Sequence, residues 1–124
     1  MEKKYELIKT HGESYYIIAL KDFTLITGEQ IKKGDIGGLV ESEDCLSQEG
    51  NCWIIGGTIV YGKVSGNAVV KFPAEVYGTV SENAVVQGKA EIKQNAIVTG
   101  NAVIKGSAIV EGTVSGNAVV QGST

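Results

Sequence analysis

The chain has 124 residues, a formal charge of -3 at pH 7 and a pI near 5.1. That acidic balance leaves no basic footprint for nucleic acid, and no apolar run reaches the roughly 18 residues that a membrane-spanning helix requires. Seventeen glycines and one proline beside 43% hydrophobic residues suit a β-solenoid better than disorder, in a chain short enough for one domain.

Met1-Glu2-Lys3-Lys4 leads into no signal-peptide core, so a cytoplasmic chain is expected. Tyr5-Glu6-Leu7-Ile8 and Tyr15-Tyr16-Ile17-Ile18-Ala19-Leu20 read as two strands around a His11-Gly12-Glu13-Ser14 turn. A third short apolar stretch follows near Leu25-Ile26. From Ile31 to Glu43, Gly34, Gly37 and Gly38 suggest a turn that enters the next unit. Residues 1–45 are therefore expected to form a small antiparallel cap over the open first coil of a solenoid at 46–124, because a solenoid end exposes unpaired strand edges.

The later chain repeats itself. Tyr61–Val70 (YGKVSGNAVV), Tyr77–Gly88 (YGTVSENAVVQG) and Glu111–Gly122 (EGTVSGNAVVQG) align without gaps, with a looser copy at Val98–Gly106. Small or β-branched residues recur at alternating separations of two and four, from Ala84, Val86, Ala90 and Ile92 to Ala108 and Val110. Each Ala-x-Val triplet predicts a short strand with both ends facing inward, since successive strand side chains point to opposite sides. The four-residue gaps are corners, several filled by Gly-Asn, where a sharp turn or positive φ is needed. The valines opening the repeats, Val64, Val80, Val98 and Val114, are 16, 18 and 16 residues apart. A three-sided coil of six-residue sides would need eighteen, so three coils lack two residues at the same corner and one, around Ala96-Ile97-Val98, keeps them.

This hexad, [LIV]-x-x-x-[AV]-x, resembles the left-handed parallel β-helix of hexapeptide-repeat proteins; the left hand comes from that resemblance. A second likeness lies in Gly34-Asp35-x-Gly37-Gly38, Val40-Glu41-x-Glu43, Leu46-Ser47 and Gly50-Asn51-Cys52-Trp53. These resemble a leader ahead of Gly-Asn-Ala repeats in phage and prophage proteins often labelled as transferases or polymer-forming proteins. The resemblance implies a phage-related source and supplies no catalytic residues to carry over.

No enzyme chemistry is legible. His11 is the only histidine, so one chain cannot make the three-histidine zinc site used by carbonic anhydrases of the hexapeptide fold. An acyltransferase of hexapeptide type would need His11 to reach a cleft between subunits. Cys45 and Cys52 lack histidine neighbours and are expected to be reduced thiols, and no metal or cofactor is expected. Glu41, Glu43, Asp44 and Glu49 look like a solvated loop. Gly34-Asp35-Ile36-Gly37-Gly38 lacks the Lys-Ser/Thr and the helix of a phosphate loop.

The middle residue after each Gly-Asn corner should point outward: Trp53, Val69, Val85, Val103 and Val119, spaced 16, 16, 18 and 16. An apolar row stacked on one face marks an interface, with Trp53 as an aromatic anchor. Asn51, Asn67, Asn83, Asn101 and Asn117 should form an amide ladder along the coil axis. A two-fold homodimer needs only this row on both partners, whereas a trimer needs two different faces, so a dimer is expected. Tyr61, Tyr77, Glu75 and Glu91 would remain free for another partner. The functional expectation is a non-catalytic interaction protein that self-associates and binds a host protein, such as a CRISPR-type component of anti-phage defence. Its alternatives are the His11 acyltransferase and a virion or filament component.

Overall fold

A computed structural model describes residues 3–121. Strands β1 (Tyr5–Lys9) and β2 (Tyr15–Ala19) form an antiparallel hairpin in register Tyr5 to Ala19. Next come a two-residue pair, β3 (Phe23–Thr24) against β4 (Gln30–Ile31), and then β5 (Ile36–Val40). The only helical element among the described residues is one 3-10 turn, Glu43–Cys45.

From Trp53 onward, two-residue strands stack in parallel on three faces. Face I carries Ile59–Val60, Glu75–Val76, Glu91–Ile92 and Ile109–Val110. Face II carries Lys63–Val64, Thr79–Val80, Ile97–Val98 and Thr113–Val114. Face III carries Trp53–Ile54, Val69–Val70, Val85–Val86, Val103–Ile104 and Val119–Val120. The coil is thus the parallel three-sided solenoid, of about five turns, that the spacing predicted. Its inward residues, from Ala68 and Val70 to Ala108 and Val110, are buried. Each valine so buried contributes about 1.5–3 kcal/mol, and alanine at alternate sites leaves room for the opposing faces.

Where a short corner joins faces I and II, the coils approach closely. A Cβ added at Gly62 would lie 1.8 Å from the Gly78 carbonyl oxygen, and one at Gly78 would lie 2.3 Å from that of Ala96. The corner from face II to face III instead needs the left-handed backbone: φ is +67° at Gly66, +71° at Gly100 and +64° at Gly116. Glu82 takes the same place in its coil at φ 56°, and its carboxylate accepts from Thr99 Oγ1 at 2.7 Å and from the Gly100 amide at 3.2 Å.

The N-terminal hairpin and the solenoid share a sheet. β5 pairs antiparallel with β2 on one side and in parallel with Ile59–Val60 on the other, so one seven-stranded sheet runs from the hairpin down face I. Leu46 bridges to Val64 on face II, which makes Leu39-Val40 and Leu46 parts of the first coil. Gly37 and Gly38, expected in a turn, lie within strand β5. A Cβ at Gly38 would meet the Thr58 carbonyl oxygen at 2.4 Å, and one at Gly37 the Ile54 carbonyl oxygen at 2.6 Å and Ile17 at 2.7 Å. These glycines serve close packing. The third apolar stretch also shifts: Leu25 is buried just after β3, while Ile26 is exposed.

Candidate functional site

Two surfaces carry the residues singled out from the sequence. On face III, the row Trp53, Val69, Val85, Val103 and Val119 stands in register, each residue paired with the next. Its upper half is not open. Trp53 is 1% exposed and Val69 0%, against 59% for Val119, with Val85 and Val103 half-buried. The cap crosses this half: Phe23 meets the Trp53 indole edge-on with ring centroids 5.3 Å apart, and Tyr5 does so at 6.5 Å. Glu29, in the β3–β4 turn, reaches over to Lys71 at the end of this face with a 2.8 Å ion pair. Trp53 is therefore an anchor within its own chain, because an indole loses more water-exposed area under the cap than any neighbouring valine. The outward pointing was legible in the period; the covering by Phe23, a residue outside every repeat, was not.

Beside the row runs the amide ladder. Asn67 Nδ2 donates to Asn83 Oδ1 at 3.2 Å, Asn83 to Asn101 at 3.1 Å and Asn101 to Asn117 at 3.1 Å. The Asn51 backbone amide donates to Asn67 Oδ1 at 3.2 Å and closes the ladder at its head.

The second surface is a groove of about 370 Å³ at the short corners of faces I and II. Its floor is Gly62, Gly78, Lys63 and Thr79. The Glu41, Ser42 and Asp44 turn forms one wall, and Gln94 with Asn95 the other. The latter pair is the insertion that makes one coil eighteen residues long, so the groove is the space left where two coils lack those residues. Tyr61 and Tyr77 stack along it, with centroids 5.0 Å apart and planes 8° from parallel. The Tyr77 hydroxyl donates to Glu75 at 3.1 Å, and this bond to a carboxylate holds the phenol proton and raises its pKa. Glu75 and Glu91 sit directly opposite one another on face I, outside the groove lining. Lys93 pairs with Glu91, which raises the lysine pKa.

Sequence reasoning thus singled out the tyrosines of this groove, read Glu41 and Asp44 only as part of a solvated loop, and did not name Lys63, Gln94 or Asn95. The signal was the one full-length corner, whose extra residues must project from a stack of shorter ones. His11 lies exposed in the β1–β2 turn and does not line this groove. Cys45 and Cys52 are buried free thiols, and among the described residues no three His, Cys, Asp or Glu side chains cluster to hold a metal. No helix among them is long and apolar enough to cross a membrane.

No protein-family model matches the chain, and no curated protein matches it significantly.

Proposed function

We propose that this is a non-catalytic interaction protein that forms a homodimer through the uncovered part of face III and offers the short-corner groove to a host protein. The observation that carries this reading is the double use of one apolar row. Its upper half, Trp53 and Val69, seats the chain's own cap, and the row continues without a change of chemistry through Val85, Val103 and Val119. A face whose first rungs already bind an apolar segment is fitted to bind another on its later rungs, and a two-fold contact needs only that row.

The groove supplies carboxylates, amides, one ammonium and an aromatic stack, groups suited to a polar protein surface. The resemblance to phage and prophage hexapeptide-type Gly-Asn-Ala repeat proteins supports a phage-related source, action in the host cytoplasm, and an anti-phage defence component as the host target.

The test measures solution mass by light scattering and protection of phage in a defended host, on wild type, Val85→Glu/Val103→Glu and Tyr61→Ala/Tyr77→Ala. The reading expects a dimeric wild type, a folded monomer for the valine variant, and lost protection with the dimer kept for the tyrosine variant. A monomeric wild type, or full protection by the tyrosine variant, overturns the corresponding half.

A further inference from the structure

Lys4 and Cys52 meet where the cap closes on the first coil, and neither is used by the surfaces described above. Both side chains are fully buried. Lys4 Nζ lies 3.2 Å from Cys52 Sγ, 2.8 Å from the Cys52 carbonyl oxygen and 3.2 Å from that of Gly50, with the Phe23 ring centroid 5.5 Å away. No carboxylate pairs with this lysine among the described residues. A cation so placed is costly to keep, and burial lowers the pKa of the amine while raising that of the thiol. Burial thus favours the uncharged form of each group, and an amine held 3.2 Å from a thiol sets a nitrogen beside an oxidisable sulfur.

We infer that Lys4 and Cys52 form a modification site, in which a hydroperoxide oxidant drives a covalent link between Nζ and Sγ. Hydrogen peroxide first oxidises the thiol by two electrons to the sulfenic acid; its O–O bond breaks, one oxygen stays on sulfur and the other leaves as water. The Nζ lone pair then attacks Sγ, the S–O bond breaks, and the departing hydroxide takes a proton from nitrogen to leave as a second water. The product is a sulfenamide, S–N, lighter by two hydrogens than the starting pair. It would tie the segment ahead of β1 to the first rung of face III and fasten the cap over Trp53.

A Cys45–Cys52 disulfide would give the same mass change, so the test uses the full chain carrying Cys45→Ala. The folded protein is treated with hydrogen peroxide and followed by intact mass and peptide mapping. The expected result is loss of two hydrogens, a joined peptide containing Lys4 and Cys52, reversal by a dithiol, and a raised denaturation midpoint for the linked form. Lys4→Met and Lys4→Arg should each abolish the joined peptide; two variants guard against one that fails to fold. Cys52 carrying two or three oxygens beside an unmodified Lys4 overturns the inference. So does an unchanged mass under conditions that fully oxidise the urea-unfolded chain.

Discussion

Lys4 is the only charged side chain fully buried among the described residues, and its protons bear on the stability of the whole cap. Burial lowers its pKa in the folded state relative to the unfolded chain. Between the two values the unfolded chain holds more protons, so stability rises with pH across that window. Cys52 and Tyr5 act the other way. Burial raises both, so the folded state keeps protons that the unfolded chain sheds above about pH 8.5 and pH 10 respectively, and stability falls there. Urea unfolding of wild type should therefore contain a rising contribution that ends near the ordinary lysine value of about 10.4, opposed by Cys52 from about pH 8.5 and by Tyr5 from about pH 10. Lys4→Met should lose the rise and keep the fall. It should also be less stable at pH 7 by about 1–3 kcal/mol, because the Gly50 and Cys52 carbonyls lose their donor. None of this was legible in the sequence, where Lys4 stood in a charged leader of the kind that is ordinarily solvated; only the long-range return of Gly50–Cys52 buries it. Gly38 shows the same limit at closer range: its composition suggested a turn, and the tight approach of the Thr58 carbonyl, a contact between distant residues, decided for a strand.

At the level of elements, the period carried most of the information. Pairs such as Val86 and Ile92 were legible as inward because each two-residue strand repeats the same choice, and the corner residues follow from backbone geometry. The asparagine ladder was legible for the same reason and makes a graded prediction. Asn83 gives and accepts one ladder bond, whereas Asn117, the last member, accepts one. With about 0.5–1.5 kcal/mol net for each bond, Asn83→Ala should lower unfolding free energy about twice as much as Asn117→Ala, roughly 1–3 kcal/mol against 0.5–1.5. Equal losses in chemical denaturation would mean that the amides act by local turn propensity alone. Beyond the repeats, pattern gave less. β1 and β2 were found as two mostly apolar runs on either side of the His11–Ser14 turn, but β3 and β4 are too short to show such a run, and it is Phe23 on β3 that closes half of the candidate interface. The groove was half legible: its tyrosines and the missing residues were found, while its walls depend on how far Gln94-Asn95 and the 41–44 turn project.

For the molecule as a whole, stacking makes each coil the template of the next, so stability should behave as a sum of coils and of the contacts between neighbours. The two-residue corner makes this testable by length. A tandem duplication of residues 97–112 adds sixteen residues, one complete short coil: it begins on face II at Ile97, passes Val103–Ile104 and Ile109–Val110, and returns through Glu111-Gly112 to the face II position that Thr113 held. Every inward and outward choice below it is preserved, and the added coil buries a further Val98, Ala102, Ile104, Ala108 and Val110. Duplicating residues 97–113 adds one residue more. The second Ile97 then follows Thr113 directly and takes the inward place of Val114, which turns each later strand over. The sixteen-residue insertion should fold cooperatively with a denaturation midpoint equal to or above that of wild type. The seventeen-residue one should lose at least ~2 kcal/mol, since polar outward residues are driven into the core and apolar ones out. Comparable midpoints for both would show that the coils are not held in register by their neighbours. The added coil also lengthens the apolar row by a second Val103, so in the chain enlarged by sixteen residues the proposed dimer should persist to lower concentration in light scattering; an unchanged dissociation range would count against face III as its surface.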